Sequence, residues 1–468
     1  MEVRTRFAPS PTGFMHIGNL RSALYNYLIS KSLGGKFILR IEDTDQKRQV
    51  PGAEKIIYDT LKSTGLCYDE GPDISGNFGP YVQSERKDIY LHYSKKLIES
   101  KNAYYCFCEK SNDESDFVCR CHKLSDVTVK QFISEKRQYV IRQFIPKEGS
   151  TSFYDLVFGH VEIQNSELED QILIKSDGMP TYNFANVIDD HLMQITHVVR
   201  GCEYLSATPK YNLLYKSFGW KIPVYIHLPL IMGKNPDGTV TKLSKRAGAV
   251  SFVDLINEGY LAESIINYIA FLGWCPNSNN EIFSLSDLER EFSIENIGKS
   301  PSIFDYEKLN WINEQHIKLK SDDEFSSIIE KYVDFDVDIK KLSKILKTRV
   351  SKLSQIPKMI EFLKTTQKFS KELFINKKNK TDYDNSPIIL EKSISVLESL
   401  DNWDNNSLFE CLSELAKSLG LKKNSIMWVV RIAISGQEVT PGGATEILEL
   451  LGKDESLKRL IDALKLFE

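Results

Sequence analysis

The sequence has no apolar run that approaches the length needed to cross a bilayer. The N-terminus also lacks a signal-peptide pattern, because Arg4, Arg6 and Pro9 interrupt its first apolar stretch. Neither sign of charge dominates, since 60 Lys and Arg against 64 Asp and Glu give a net charge of −4. These absences disfavour a membrane protein and a protein coated in basic residues for indiscriminate nucleic-acid binding. The cytoplasm is the expected compartment.

A disulfide framework is missing as well, although the chain has eight cysteines. Four of them form two Cys-x-Cys pairs in one short window, Cys106 with Cys108 and Cys119 with Cys121. Two such pairs can direct four thiolates at one tetrahedral centre, which Zn²⁺ favours. The alternative is four unliganded thiols at the surface. The spacing predicts a structural zinc site, in which His122 could replace Cys121 as the fourth ligand.

The stretch from Arg6 to Asn19 has the order strand, tight loop, helix. A loop that enters a helix N-terminus offers unpaired N–H groups and the positive end of the helix dipole, both of which suit phosphate. His16 could donate a hydrogen bond to a phosphate oxygen. A histidine at such a turn is nevertheless more often a helix cap or a packed surface residue.

A second strand-like run, Lys36–Ile41, leads into an acidic cluster, Glu42–Asp45. Strand, helix and strand in this order predict a βαβ unit and a parallel sheet. Ligands of such sheets bind beyond the carboxyl ends of the strands, which places the loop Pro9–Gly18 and the acidic cluster at one rim. A solvated turn with a helix cap is the alternative for the cluster.

The middle of the chain, residues 138 to 171, contains several β-rich runs, including Tyr139–Arg142 and Val157–Ile163. They predict a small domain inserted into the parallel sheet. A later run, Ile222–Ile231, contains Pro223 and Pro229, which predict a short or edge strand because proline lacks the N–H of a sheet ladder.

Arg200 ends another strand-like run, where a guanidinium can bind a carboxylate or phosphate through two hydrogen bonds. A structural ion pair with Asp189 or Asp190 is equally compatible with the sequence. Farther along, the loop Lys242–Arg246 carries lysines that could stabilise developing negative charge beside a nucleotide. A solvated surface loop is the usual explanation of such a run.

Strand signals fade beyond about Leu319, and the remaining pattern is helical. Several basic residues recur there at spacings that put some of them on one helix face. They are Lys340, Lys341, Lys344, Lys347, Arg349 and Lys352. A solvated face is the usual explanation, and an RNA-contacting surface in an otherwise acidic chain is the other.

Two of these motifs resemble the paired signatures of class I aminoacyl-tRNA synthetases, namely His16-Ile17-Gly18-Asn19 and Lys242-Leu243-Ser244-Lys245-Arg246. Asn19 stands where most members carry a second histidine. The strings RFAPSPTG, RIEDTD, GMPTYNFANVIDDH and KLSKRAGAVS are similar to those of bacterial glutamyl-tRNA synthetases in particular. The resemblance extends over essentially the whole chain and is loosest between about Leu319 and Lys423.

The resemblance implies an α/β fold, with a Rossmann-like parallel-sheet catalytic domain followed by an all-α anticodon-binding region. The implied catalytic domain comprises residues 1–103 and 190–250. An inserted α/β acceptor-binding domain with the zinc site would occupy residues 104–189, and a linking helical domain residues 251–318. The helical anticodon-binding domain would span residues 319–468, and a monomer is expected.

The implied activity is ATP-dependent attachment of L-glutamate to the 3′ end of tRNA(Glu) through glutamyl-adenylate, with Mg²⁺ accompanying ATP. The implied catalytic residues are His16, Lys242 and Lys245. The residues implied to bind ATP are His16, Gly18, Asn19, Glu203 and Lys245. Those implied to bind glutamate are Arg6, Ala8, Ser10, Glu42, Tyr182, Asn186 and Arg200. Arg349 aligns with the arginine that reads the third anticodon position in enzymes that exclude glutamine tRNA.

Three alternatives compete with this interpretation. A short paralogue that glutamylates a modified tRNA base lacks an anticodon domain, and glutaminyl enzymes usually end in β-barrels, so the helical tail disfavours both. A tRNA-binding or regulatory protein without catalysis is opposed by intact Arg6, His16, Lys242 and Lys245. Whether tRNA(Gln) is also charged stays open.

Overall fold

The computed structural model describes residues 2–108, 119–235, 237–243, 251–365 and 369–468. The chain divides into two compact units. The first comprises Met1–Ile256 and Ala262–Tyr306, and the second comprises Asn257–Leu261 and Glu307–Glu468. The finer division into four domains stays a prediction from the sequence.

The first unit alternates strands with helices. Its strands are β1 (Arg4–Phe7), β2 (Lys36–Leu39), β3 (Ala103–Cys106), β4 (Val140–Gln143), β5 (Ser150–Asp155), β6 (Gly159–Gln164), β7 (Ile172–Ile174), β8 (His197–Gly201), β9 (Val224–Leu228), β10 (Ile231–Lys234), β11 (Val240–Lys242) and β12 (Ser302–Ile303). Its helices are α1 (Ile17–Ser32), α2 (Ala53–Ser63), α3 (Lys87–Glu99), α4 (Asp126–Ser134), α5 (Tyr182–Leu192), α6 (Thr208–Ser217), α7 (Phe252–Asn257), α8 (Ala262–Ala270) and α9 (Leu285–Glu291).

The predicted βαβ unit is present at the start of the chain. Strands β1 and β2 pair in parallel, with Arg6 in register with Ile38, and α1 connects them. The apolar residues of α1, including Leu20, Leu24 and Leu28, are fully buried. The carboxyl ends of β1 and β2 therefore meet at one edge, as the sequence predicts for the loop and the acidic cluster.

A four-stranded sheet with the order β6-β5-β9-β8 brings part of the predicted insertion beside the strands that follow it. Strands β8 and β9 pair in parallel, and β5 joins β9 where Asp155 is in register with Tyr225. Of the two alternatives for residues 222–231, the short strand is confirmed and the edge strand is wrong, because β9 has five residues and lies inside this sheet. Pro223 and Pro229 both lie just outside β9, so its own N–H groups remain available for pairing.

The run Val157–Ile163 is not a single strand as its composition suggested. Residues 156 to 158 turn the chain between β5 and β6, and β6 begins only at Gly159. The side chain of Asp155 fixes this turn, because its Oδ1 accepts hydrogen bonds from the backbone N–H groups of Val157 and Phe158. In the same part of the chain, β3, β4 and β7 form an antiparallel sheet.

The second unit is helical, as predicted for the chain beyond Leu319. Its helices are α10 (Tyr306–Leu319), α11 (Asp322–Ile329), α12 (Ile339–Leu346), α13 (Ile356–Lys364), α14 (Asn385–Glu398), α15 (Asn405–Ser418), α16 (Lys423–Ser435), α17 (Ala444–Leu451) and α18 (Lys453–Leu464). They share one apolar core, which includes Phe325, Phe362 and Phe374. Within the described ranges, no helix combines the length and apolarity that a membrane crossing requires.

The basic residues of this unit do not form one continuous helix face. Helix α12 ends at Leu346, so Arg349 and Lys352 lie beyond it. Ion pairs join Lys340 to Asp323, Lys341 to Glu449, Lys347 to Asp322, and Lys352 to Glu258. In the part of the chain that the structure describes, Lys344 and Arg349 take part in no ion pair, and both are exposed.

Candidate active site

A cleft of about 850 Å³ opens beyond the carboxyl ends of β1, β2 and β8. Several of the residues predicted to bind ligands line it. They are Arg6, Ala8, Ser10, Asn19, Glu42, Tyr182, Arg200 and Glu203. The acidic cluster also lines the cleft, and Glu42, Asp43 and Thr44 are buried, so it is not the solvated turn that was the alternative.

A buried network of charged side chains forms the floor of the cleft. The carboxylate of Asp190 accepts hydrogen bonds at Oδ1 from Arg6 Nε at 3.1 Å and from Arg40 Nη1 at 2.8 Å. Arg40 also donates from Nη2 to Glu42 Oε1 at 2.8 Å. Arg40 is completely buried, and the other three side chains are almost so. Arg40 therefore fixes Asp190 and Glu42 relative to each other.

The two carboxylates of this network differ in their acidity. Burial raises the pKa of Asp190, but Arg6 and Arg40 outweigh burial, and the pKa lies below its usual value. For Glu42, burial outweighs Arg40, and the pKa lies above its usual value. The hydrogen bonds that Glu42 accepts from Arg40 and Gln83 all reach Oε1, so Oε2 remains for a cationic ligand group in the cleft.

Asp189 belongs to a second buried set beside the first. Its carboxylate accepts hydrogen bonds from Arg86 Nε at 2.7 Å, from Tyr90 at 2.8 Å and from Gln83 at 2.9 Å. Gln83 links this set to Glu42 at 3.4 Å. Asp189 is thus paired mainly with Arg86, and Arg40, 3.9 Å from its carboxylate, lies between it and Asp190.

Arg200 does not form the ion pair that was one alternative for it. Its Nε donates to His227 Nε2 at 3.2 Å, and its Nη2 donates to Thr208 Oγ1 at 2.7 Å. The guanidinium also lies within 5.0 Å of the ring centres of Tyr204 and Tyr211. These neutral partners leave the charge of Arg200 uncompensated, and Nη1 remains for a ligand.

Tyr182 and Asn186 lie on successive turns of α5. The ring of Tyr182 packs against that of Tyr204 at 5.5 Å, and burial raises the pKa of Tyr182 well above its usual value. Asn186 is buried and lies outside the lining of the cleft. Its Nδ2 has no hydrogen-bond partner among the described residues, a costly state for a buried amide that a ligand oxygen could relieve.

His16 is the N-cap of α1. Its Nδ1 accepts a hydrogen bond from the backbone N–H of Gly18 at 3.0 Å, so the cap that was the alternative for this histidine is formed. Because Nδ1 accepts, the neutral ring carries its proton on Nε2. Neither His16 nor Gly18 lines the cleft, whereas Asn19 on the first turn of α1 does.

The lysine loop is only partly described. Lys242 ends β11, is exposed and does not line the cleft. Lys245 lies outside the described residues. On the far side of that gap, Ser251 forms a β-bridge with His16, and Phe252 donates to the carbonyl of Met15 at 3.1 Å. The described chain after the loop thus contacts the first signature directly.

The four cysteines predicted to bind metal lie together at the end of β3 and near α4. The Sγ atoms of Cys106, Cys108, Cys119 and Cys121 all lie within 4.8 Å of one another. Neighbouring sulfur atoms are 3.5 to 3.7 Å apart. Four thiolates about 2.3 Å from a tetrahedral zinc ion would be about 3.8 Å apart. The His122 ring packs instead on Tyr104 and Phe144, which favours Cys121 as the fourth ligand.

Comparison with known proteins identifies the family. The catalytic domain described as "tRNA synthetases class I (E and Q)" matches residues 2–311, and an anticodon binding domain matches residues 324–464. The chain belongs to this synthetase family. The predicted fold class, with its parallel-sheet catalytic domain and helical anticodon-binding region, is thereby confirmed.

Relatives of the synthetase family cover nearly the full chain. A glutamate–tRNA ligase of Clostridium tetani is 51% identical over 98% of this chain and 96% of the relative. One from Clostridium botulinum is 51% identical over 99% of both chains. The crystal structure of a glutamate tRNA ligase from Elizabethkingia meningosepticum in complex with its amino acid matches with a TM-score of 0.91. It is 33% identical over 100% of both chains.

Two groups of residues in this synthetase site escaped prediction from the sequence. Arg40 was missed although it lies two residues before the predicted ligand Glu42, and a charged residue inside the apolar run Lys36–Ile41 was a usable signal. His227 offered a similar signal inside β9. Asp155 offered none, because its role depends on the pairing of β5 with β9.

Proposed function

We propose that the chain catalyses the ATP-dependent attachment of L-glutamate to the 3′ end of tRNA(Glu), through glutamyl-adenylate. The observation that carries this proposal is a cleft with two buried guanidiniums, Arg6 and Arg200, and the buried carboxylate of Glu42, which keeps an unused oxygen. A ligand with two carboxylates and one ammonium group is the chemical complement of these three side chains.

The free hydrogen-bonding groups support this pose. Arg6 uses Nε and Nη1 in the protein, and Arg200 uses Nε and Nη2. Each guanidinium thus keeps one nitrogen for a substrate carboxylate, while Oε2 of Glu42 accepts from the α-ammonium. Tyr182, Ala8 and Ser10 line the pocket, and Asn186, buried one helical turn beyond Tyr182, supports it from behind the lining.

The first signature and the lysine loop serve ATP in this proposal. His16 and the start of α1, with Gly18 and Asn19, bind the phosphates, and Glu203 contributes to the ATP side of the cleft. Lys242 and Lys245 stabilise the negative charge that develops on the phosphates as pyrophosphate leaves. Mg²⁺ enters with ATP, held mainly by the phosphate oxygens. The protein's task is alignment and charge stabilisation rather than proton transfer.

The cysteine cluster binds one structural zinc ion in this proposal. The sulfur separations and the four-thiol donor set fit a tetrahedral site, which would tie β3 to the start of α4. The helical unit binds the tRNA anticodon, with exposed Arg349 as the residue that reads its third base. The match of an anticodon binding domain supports this assignment over the short paralogue. A monomer and a cytoplasmic location stay predictions from the sequence.

Charging assays test the proposed function directly. We expect purified protein to attach glutamate, and not glutamine, to tRNA(Glu) in the presence of ATP and Mg²⁺. Assays with tRNA(Glu) and tRNA(Gln) side by side measure the tRNA range, which the sequence leaves open. Absence of both charging and glutamate-dependent ATP–pyrophosphate exchange, with tRNA present, would refute the ligase assignment.

The lysine loop should act in the transition state. Lys245→Ala is expected to lower kcat for adenylation by about a hundredfold or more, with little change in the KM for glutamate, because the contact stabilises charge that develops only during the reaction. Pyrophosphate exchange at varied glutamate measures both parameters. Exposed Lys234→Ala on neighbouring β10 serves as the control. An unchanged kcat in Lys245→Ala contradicts this role.

The zinc site predicts about one zinc ion per chain by metal analysis. Cys108→Ser should lose most of the zinc and lower the unfolding temperature, because three thiolates form a weaker site. Cys67→Ser changes another exposed cysteine and should keep the metal. Wild-type protein that contains no metal and is equally stable would contradict the proposed structural zinc site.

A further inference from the structure

Three adjacent strands of the four-stranded sheet each contribute one buried polar residue to a single chain of hydrogen bonds. Asp155 ends β5, His227 lies in β9, and Arg200 lies near the carboxyl end of β8. Arg200 and His227 are in register in parallel strands, so their side chains lie on the same face of the sheet. Asp155 and His227 are completely buried.

The hydrogen bonds of this chain determine the protonation of the histidine. Arg200 Nε can only donate, so His227 Nε2 must accept at 3.2 Å. Thr208 cannot replace Arg200 as the donor, because its hydroxyl donates to the carbonyl of Tyr204 at 2.7 Å. The proton of the neutral ring is therefore on Nδ1, which donates to Asp155 Oδ2 at 2.7 Å.

Each carboxylate oxygen of Asp155 accepts two hydrogen bonds. Its Oδ2 also accepts the backbone N–H of His227 at 3.0 Å, while its Oδ1 closes the turn after β5. All four donors come from fixed positions, so the carboxylate has one available orientation. This orientation fixes the imidazole, and the imidazole in turn fixes the Nε edge of the Arg200 guanidinium.

We propose that Asp155 and His227 are positioning residues for glutamate recognition, which hold Arg200 with its free Nη1 directed at a substrate carboxylate. This proposal rests on the proposed function, because it takes Arg200 as a glutamate ligand. A neutral histidine is required in this position, since an imidazolium would present a second donor to Arg200. Burial and the nearby Arg200 lower the pKa of His227, although Asp155 opposes them, which agrees with a neutral ring.

The tautomer can be measured independently of enzyme activity. Nitrogen-15 NMR of histidine-labelled wild-type protein should show one buried imidazole with a protonated Nδ1 and an unprotonated Nε2, absent from the spectrum of His227→Gln. In Asp155→Asn, an amide nitrogen facing the ring would favour the tautomer with its proton on Nε2. The Nε2–H of His227 and the Nε–H of Arg200 would then be two donors facing each other. A wild-type His227 that is protonated on Nε2 overturns the proposal.

Kinetics test the positioning role. His227→Phe should raise the KM for glutamate in charging assays at least about tenfold, through loss of a hydrogen bond to a charged group, with the KM for ATP changed less than about twofold. His227→Gln should recover most of the affinity, because its amide oxygen can accept from Arg200. His197→Phe, a half-buried histidine at the opposite end of β8, is the matched control.

The outcomes separate this proposal from the proposed function. Wild-type protein that charges no glutamate refutes the function, whereas normal wild-type charging with an unchanged glutamate KM in folded His227→Phe overturns only the positioning role. Equal rises in the KM values for glutamate and ATP also overturn it, since they indicate general damage. If His227→Phe does not fold, the comparison of His227→Gln with wild type and the wild-type tautomer decide the question.

Discussion

The site depends on one buried contact, the carboxylate of Asp190 held between the guanidiniums of Arg6 and Arg40. Charges buried this deeply are stable only when each has a partner, and removal of one partner leaves an uncompensated charge in a medium of low polarity. Because Arg6 comes from β1, Arg40 follows β2 and Asp190 comes from α5, the contact joins three segments that are distant in sequence. It orients Arg6 directly and Glu42 through Arg40.

The two buried arginines that line the cleft are held in different ways. Arg6 is neutralised by Asp190, whereas Arg200 is held by the neutral groups of His227 and Thr208 and by aromatic rings. The carboxylates of Asp190 and Glu42 offset the charges of Arg6 and Arg40, whereas the described partners of Arg200 are neutral.

The sequence was sufficient for features that follow from local pattern and sheet topology. A βαβ unit puts the ends of its strands together, so it could be predicted that the loop after β1 and the acidic cluster Glu42–Asp45 share one rim. The four cysteines could be grouped from their spacing alone. The likeness of two short motifs to a synthetase family then supplied roles for the residues.

Features that depend on the pairing of distant strands could not be predicted. For Arg200, the sequence left a ligand contact and an ion pair equally open, because its partner His227 is determined by the register of β8 with β9. The interior position of β9 was missed because Pro223 and Pro229 suggested an edge, although both lie outside the strand. The number of unpaired basic side chains after Leu319 was overestimated, because Lys340 and Lys347 form ion pairs with acidic residues of another helix.

Glutamate binding to Asp190→Asn, measured by calorimetry beside wild type, tests the central role of the buried network most directly. The account predicts a dissociation constant at least about tenfold higher for Asp190→Asn, because Arg6 and Arg40 lose their shared charged acceptor. Asp170→Asn, which changes a half-buried aspartate between β6 and β7, should bind glutamate like wild type. Equal affinity of wild type and a folded Asp190→Asn would contradict the account.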